Sequence, residues 1–396
     1  MDVERVAIIV LDGVGIGGAP DAADYGDEGS NTLGNVAARV GGLFLPQLGA
    51  LGIGRLTEVM GVPPASDPIG AFGRMQEHSA GKDTTTGHWE IAGIWLERPF
   101  PTYPNGFPRD VLESFEQRIG RRTLGNKPAS GTEIIAELGE AHMQTGSPIV
   151  YTSADSVFQL AAHERVISRD ELYDMCRIAR ELLQCEHGVG RVIARPFDGA
   201  PGSFYRTDGR RDFSLPPPEP TLLDRLIEDG VHVDAVGKIS DIFAGRGISH
   251  ATPAKGNDEV VDNVIALLRT RSGKALVFAN CVDFDSVWGH RNDVEGFARG
   301  LEAFDARMPE ILGALSERDM LFIVADHGCD PTTPSTDHSR EMTPLLVVGP
   351  PVRAGVDLGT RTSFSDVAAT IAEAFGVSPP PRGQSFLADL ITRNRA

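Results

Sequence analysis

The sequence predicts an α/β protein, with a mostly parallel sheet flanked by helices and an inserted α+β domain. Short apolar runs end abruptly in polar or acidic residues, and helical patterns lie between them. Two proline clusters bracket a stretch long enough to fold by itself.

The first run, Val6–Leu11, is followed at once by Asp12 and Gly13. Six residues are too few for a membrane span or a signal-peptide core, so the run reads as a buried strand. Ala275–Cys281 precedes Asp283 and Asp285, and Met320–Ala325 precedes Asp326 and His327. Leu345–Val348, before Gly349, is a fourth run without the acid. Each fits a doubly buried strand with polar residues at its C-terminal end, the edge where ligands bind in open α/β sheets. Helical patterns cover Asp258–Arg269, Val294–Leu315 and Asp366–Phe375, the last with Ser365 as the expected N-cap.

One proline cluster holds Pro99, Pro101, Pro104 and Pro108, and the other holds Pro216, Pro217, Pro218 and Pro220. Proline stiffens φ and removes a backbone donor, as suits a linker. The expected division is therefore a core of residues 1–98 and 219–396 and an inserted domain of residues 99–218. Ile149–Thr152, Asp170–Gln184 and Arg191–Arg195 supply the insertion's own strand and helix signals.

Composition excludes several classes of function. A formal charge of −18 opposes a nucleic-acid footprint, which needs a basic face. The four cysteines, Cys176, Cys185, Cys281 and Cys329, are scattered without a CxxC pair, so neither a disulfide framework nor a thiolate zinc site is expected. With no targeting signal recognised, the expectation is a cytoplasmic protein with no membrane association and no obligatory protein partner.

The chemistry concentrates at the strand ends. Asp12, Asp285 and Asp326 are carboxylates at such ends, and His290, His327 and His338 are imidazoles close by in sequence. Oxygen and nitrogen donors suit Mn²⁺, Mg²⁺ or Zn²⁺. Six ligands exceed one tetrahedral site, and two ions roughly 3.5–4 Å apart clamp the attacking and leaving oxygens of a phosphoryl transfer. Solvated turn residues and capped strand ends would account for any one of the six, but poorly for all together. The stretch Gly81-Lys82-Asp83-Thr84-Thr85-Thr86-Gly87-His88-Trp89-Glu90 offers a hydroxyl nucleophile in a flexible turn, needing a base or metal to activate it. The plainer alternative is a hydrogen-bonding loop leading into a helix, with Trp89 in the core.

These residues resemble the phosphopentomutases. The opening Asp12-Gly-Val-Gly-Ile-Gly-Gly-Ala-Pro-Asp-Ala-Ala-Asp24, together with Gly81–Glu90, Tyr151–Val157, Asp283–Arg291 and Asp326–Glu341, is similar to that family over nearly the whole chain. The resemblance implies an alkaline-phosphatase-like core and a cap inserted after the nucleophile loop. It further implies interconversion of α-D-ribose 1-phosphate and ribose 5-phosphate, with their 2-deoxy forms, using two Mn²⁺ (or Mg²⁺ or another divalent ion) and a sugar bisphosphate activator. By the same resemblance Asp12, Asp326 and His327 bind one ion and Asp285, His290 and His338 the other. Thr84 bridges them and carries the transferred phosphate, passing through ribose 1,5-bisphosphate. Ser153, Asp155, Arg191, Arg206 and Lys238 match positions that grip the sugar phosphate, as arginine forks hold phosphate and carboxylates accept from hydroxyls. Two residues depart from the family: Thr85 replaces an expected methionine, and Cys329 an expected asparagine, which alters hydrogen bonding around the ligands.

Other readings share part of this pattern. A cofactor-independent phosphoglycerate mutase has the same core but a serine nucleophile, and a phosphatase needs no large sugar-binding cap. A metal-binding sensor or structural protein would leave the Gly-Lys-Asp-Thr loop unexplained.

Overall fold

A computed structural model describes residues 3–153 and 156–391. The chain divides into two compact units, Met1–Arg98 with Pro217–Ala396, and Pro99–Pro216.

The first unit is built on an eight-stranded sheet. In spatial order its strands are His250–Thr252, His232–Val236, Ala275–Cys281, Arg5–Leu11, Asp319–Val324, Thr343–Val348, Ala71–Met75 and Asp357–Arg361. The apolar runs occupy its centre: six of the seven residues of Arg5–Leu11 are buried, as are all seven of Ala275–Cys281 and all six of Asp319–Val324. Strands buried on both faces need β-branched and aliphatic residues without alternation, which these runs supply. Ala7, Ile9, Leu11, Val277, Ala279 and Leu321 join a core with the helices Thr32–Val40, Asn257–Thr270 and Val294–Leu312. Phe278 projects from the opposite face, where its ring lies 5.9 Å from that of His88 in the helix Thr84–Ile91.

The parallel register aligns the chemistry. Leu11 pairs with Cys281 and Val10 with Val324, so Asp12, Asp285 and Asp326 emerge together beyond the C-terminal ends of three adjacent strands. One expected strand end differs. Thr343–Val348 runs antiparallel to both neighbours, so its C-terminal Val348–Gly349 lies at the opposite edge of the sheet. Its N-terminal approach, Arg340–Met342, comes to the site edge instead: Gly328 bridges Ser339, and Gly18 bridges Glu341. A second difference concerns Ser365, which is the first helical residue of Ser365–Phe375 while Phe364 occupies the N-cap. The Ser365 hydroxyl donates to the Glu90 carbonyl at 3.1 Å, a tertiary bond that outcompetes local capping.

The second unit has its own sheet, Leu124–Pro128, Ile149–Thr152, Val157–His163, Arg191–Asp198 and Tyr205–Arg206, with Arg211–Ser214 paired to Arg191–Asp198. Phe115 and Phe158 pack edge to face on one side, with the helices Arg109–Ile119 and Arg169–Leu182. Ile134, Ile135 and Tyr151 form a smaller core on the other, beneath the helix Gly131–Thr145.

Candidate metal centre and nucleophile

The first cluster grows from the turn after Arg5–Leu11. Asp12 is fully buried, and its Oδ2 accepts from Asn280 Nδ2 at 2.9 Å. Its Oδ1 accepts no hydrogen bond and lies 3.3 Å from His327 Nε2. Asp326 is likewise fully buried; its Oδ1 accepts from the Gly13 amide at 3.2 Å, and its Oδ2 lies 3.3 Å from the same imidazole nitrogen. His327 donates from Nδ1 to the Gly328 carbonyl at 3.0 Å, which turns Nε2 toward the two carboxylates. Asp12, Asp326 and His327 thus offer ligand atoms all within 4.8 Å of one another.

The second cluster adjoins it. Asp285 sits on a short π-helical turn, Phe284–Trp288, directly after Ala275–Cys281. Its Oδ1 accepts no hydrogen bond, although His338 Nε2 lies 3.2 Å and His290 Nε2 3.3 Å away. The two Nε2 atoms are 3.1 Å apart, so both rings aim at one point. His290 donates from Nδ1 to the Thr336 carbonyl at 2.6 Å, which fixes its tautomer. The rings of His327 and His338 stack with centroids 4.0 Å apart, and Asp285, His327 and His338 also form a compact ligand group.

Electrostatics mark the same places. Burial and the neighbouring Asp326 raise the pKa of Asp12. Burial works against ionisation of Asp285, but His338 and His290 hold its carboxyl well below the usual range. Burial also disfavours a charged His327, yet Asp326 and Asp12 lift its pKa well above that of a free imidazole. The adjacent Asp285 carboxylate raises His290 to about 9. Three buried carboxylates with oxygens lacking donors demand positive charge, and among the described residues the imidazoles beside them are placed to supply it when no metal is bound.

Thr84 meets the imidazole that lies between the two clusters. Its Oγ1 lies 3.1 Å from His327 Nε2. The expected flexible turn is instead the first turn of the helix Thr84–Ile91, N-capped by Asp83, which accepts from the Thr86 amide at 3.1 Å. Thr86 is buried and its hydroxyl donates to Asp83, whereas Thr84 and Thr85 are half-buried. The preceding loop is pinned as well. Arg340, nearly fully buried, donates to the carbonyls of Glu77, Ser79 and Gly81 and pairs with Glu77 at 2.7 Å. Lys82 pairs with Asp27 at 3.0 Å.

The sugar-phosphate candidates are divided between the units. Ser153 follows the strand Ile149–Thr152, Arg191 begins the strand Arg191–Asp198 and lies 3.7 Å from Asp212, and Arg206 is exposed. Lys238 belongs to the first unit, at the N-cap of Ile239–Ile242 beyond the strand His232–Val236. Asp155 lies outside the described residues.

Sequence reasoning did not assign roles to His88, Asn280, Arg340 or Glu341. His88 is fully buried with Nδ1 3.0 Å from Asp326 Oδ2, and Glu341 accepts from Thr32, Ser339 and the Gly17 amide. Burial of charged residues within the motifs was the available signal, but only the folded chain reveals their partners. Cys329, expected to alter hydrogen bonding around the ligands, lies with Asp285 and His290.

A profile of the metalloenzyme superfamily matches residues 4–379. A phosphopentomutase of Caldanaerobacter subterraneus subsp. tengcongensis is 59% identical, covering 98% of this chain and 98% of the relative. One from Carboxydothermus hydrogenoformans is also 59% identical, covering 98% and 99%. Among solved structures, the PH0037 protein from Pyrococcus horikoshii aligns over 95% of this chain and 98% of its own with a TM-score of 0.50 at 15% identity, a likeness of fold alone. The chain belongs to the metalloenzyme superfamily, and within it to the phosphopentomutase family.

Proposed function

We propose that this protein interconverts α-D-ribose 1-phosphate and D-ribose 5-phosphate, and the 2-deoxyribose forms, as an intramolecular phosphotransferase of the cytoplasm. The observation that carries the reading is a threonine hydroxyl 3.1 Å from His327, at the junction of two buried carboxylate–imidazole clusters. It occurs in a chain 59% identical to proteins named phosphopentomutase.

The donor set fits divalent ions. Asp12 Oδ1, Asp285 Oδ1 and Asp326 Oδ2 are buried acceptors without donors, and the imidazoles beside them are oriented by backbone carbonyls. Asp12, Asp326 and His327 would hold one ion, and Asp285, His290 and His338 the other; Mn²⁺ at both is what the family resemblance implies. Such ions, when bound, neutralise charge on the transferring phosphoryl group and ease ionisation of a hydroxyl.

Thr84 then serves as carrier. Its Oγ1–P bond breaks as a P–O bond forms to the free hydroxyl of the pentose phosphate, whose proton is released. The sugar bisphosphate returns its other phosphate to Thr84, leaving the isomer. Thr84 is the first residue of the helix Thr84–Ile91, an end that is favourable for an anion. Arg340 and Asp83 keep the hydroxyl in place by holding the loop on either side of Lys82. Ser153, Asp155, Arg191, Arg206 and Lys238 would bind the sugar phosphate, and a sugar bisphosphate would prime Thr84.

Incubation with Mn²⁺ and ribose 1-phosphate, followed by ³¹P NMR, tests the reading. Ribose 5-phosphate should accumulate to equilibrium with little inorganic phosphate. Release of inorganic phosphate as the sole product would make the protein a phosphatase instead.

A further inference from the structure

The second cluster contains a side chain that the family resemblance does not assign to metal. Cys329 is buried at 1% exposure, and its Sγ, a carboxylate oxygen of Asp285 and a ring nitrogen of His290 all lie within 4.8 Å of one another. Its backbone is fixed, because the Cys329 amide donates to the Gly13 carbonyl at 2.8 Å and lies 3.2 Å from Thr32 Oγ1. Two glycines make room for the side chain. A Cβ at Gly289 would stand 2.5 Å from Sγ, and one at Gly13 would stand 2.8 Å from the Cys329 Cβ. The thiol is therefore wedged between the turn that carries His290 and the turn that carries Asp12.

A buried thiol by itself indicates only packing. Here a second feature indicates a ligand: Asp285 is 6% exposed, and its Oδ1 accepts no hydrogen bond although it lies among these groups. An ion with bonds of about 2.0–2.3 Å holds tetrahedral ligand atoms roughly 3.5 Å apart, within the spread seen. Thiolate is softer than the oxygen and nitrogen donors around it, and it shifts a site's preference toward zinc-like ions.

We propose that Cys329 Sγ is a fourth protein ligand of the ion held by Asp285, His290 and His338, making the second site selective for Zn²⁺, Co²⁺ or Cd²⁺ over Mn²⁺ and Mg²⁺. The inference rests on the two-metal reading above. On binding, a metal–sulfur bond forms as the thiol proton leaves to solvent, with no change of oxidation state. An asparagine at this position would offer only a neutral amide oxygen, which is a hard donor.

Cobalt separates the possibilities, because a thiolate bound to Co²⁺ absorbs in the near ultraviolet and carboxylates and imidazoles do not. The full chain should carry Cys185→Ser, since Cys185 is the exposed cysteine and Cys176 and Cys281 are buried. It is stripped with chelator and reloaded with Co²⁺ under reducing conditions, and bound ions are counted by elemental analysis. We expect two ions and the thiolate band. Cys329→Asn and Cys329→Ser should keep both ions, lose the band and lower the Zn²⁺-over-Mn²⁺ preference on the order of 10- to 100-fold. Two bound ions without the band, or a band that survives both substitutions, overturns the thiolate ligand and leaves the two-metal reading standing. Failure of the unsubstituted Cys329 protein to bind any ion overturns both.

Discussion

Thr84 stands beside two other threonines, and the sequence alone did not separate them. The helix does so by position: Thr86 is buried and committed to Asp83, Thr85 belongs to the same first turn without a bond to His327, and Thr84 faces Nε2. Thr84→Ala should therefore reduce transfer below detection while the thermal midpoint stays within a few degrees, and Thr85→Met should remain active. Phosphate located on Thr85 or Thr86 by mass spectrometry, together with an active Thr84→Ala protein, would refute the assignment. The six metal-ligand candidates were legible because each follows a strand end or sits in a loop of unusual chemistry, whereas the orphaned oxygens on Asp12, Asp285 and Asp326 emerge only in three dimensions. Asp285→Ala and Asp326→Ala should each lower bound metal from two ions toward one and remove nearly all activity, as neither ion alone clamps both oxygens. Two ions counted in Asp285→Ala would disprove its ligand role. The imidazoles also set a pH dependence. Asp285 raises His290 to about 9 in the metal-free chain, above its ordinary value of 6.5. This pairing contributes stability that is complete below about pH 6.5 and is lost as pH rises through about 9. Chelated protein should accordingly lose thermal stability over that interval relative to His290→Gln, while affinity for metal rises as the ring gives up its proton. Parallel melting curves for the two chelated proteins would contradict the pairing.

At the level of elements, apolar runs announced the central strands because a doubly buried strand leaves no room for alternation. Their direction was not announced. Thr343–Val348 reads like its neighbours but runs the other way, since the loop 325–342 turns back over the site and re-enters the sheet beside Asp319–Val324. That reversal brings Arg340 and Glu341 to the same edge as Asp326. Ser365 failed as a cap for a related reason: the Glu90 carbonyl was available across the fold, and no local pattern records it. The helix Thr84–Ile91 depends on a contact of this kind. Gly87 faces the end of Asp319–Val324 so closely that a Cβ there would lie 2.1 Å from the Asp326 carbonyl oxygen and 2.8 Å from its carbon. Backbone atoms do not yield as a flexible side chain does, so Gly87→Ala must push the helix away from the strand end. The expected cost is about 1–3 kcal/mol of stability, with a larger loss of turnover because Thr84 and Asp326 separate together. Denaturant midpoints and kcat measured on the same preparation check this; an unchanged kcat would mean that the Thr84–His327 spacing tolerates movement.

For the whole molecule, the formal charge of −18 and a phosphorylated substrate are compatible if positive charge is supplied locally. On the proposed function the first unit would draw that charge from bound metal and Lys238, while the second carries Arg191 and Arg206 on its own sheet. This division bears on what separates a mutase from a phosphatase. Both need an activated nucleophile and a way to stabilise the transferring phosphoryl group, which the first unit's residues are suited to provide. A mutase must also retain the bisphosphate while it reorients, and must keep water from the phosphothreonine in the meantime. The sugar-phosphate grip proposed for the second unit would answer that need. Joining Arg98 to Glu219 through a short Gly/Ser linker should therefore leave a metal-binding protein that hydrolyses simple phosphate esters slowly and has no measurable pentose mutase activity. In the intact chain, the milder Arg206→Ala should raise KM for ribose 5-phosphate with metal content unchanged, since Arg206 is exposed and remote in sequence from every ligand candidate. Elemental analysis of the shortened protein guards against a trivial loss of fold, because an unfolded core would bind no stoichiometric metal. If that protein binds its metals and still interconverts the two ribose phosphates at nearly the intact rate, the second unit is dispensable for the transfer. Retention of the bisphosphate would then have to reside in the first unit.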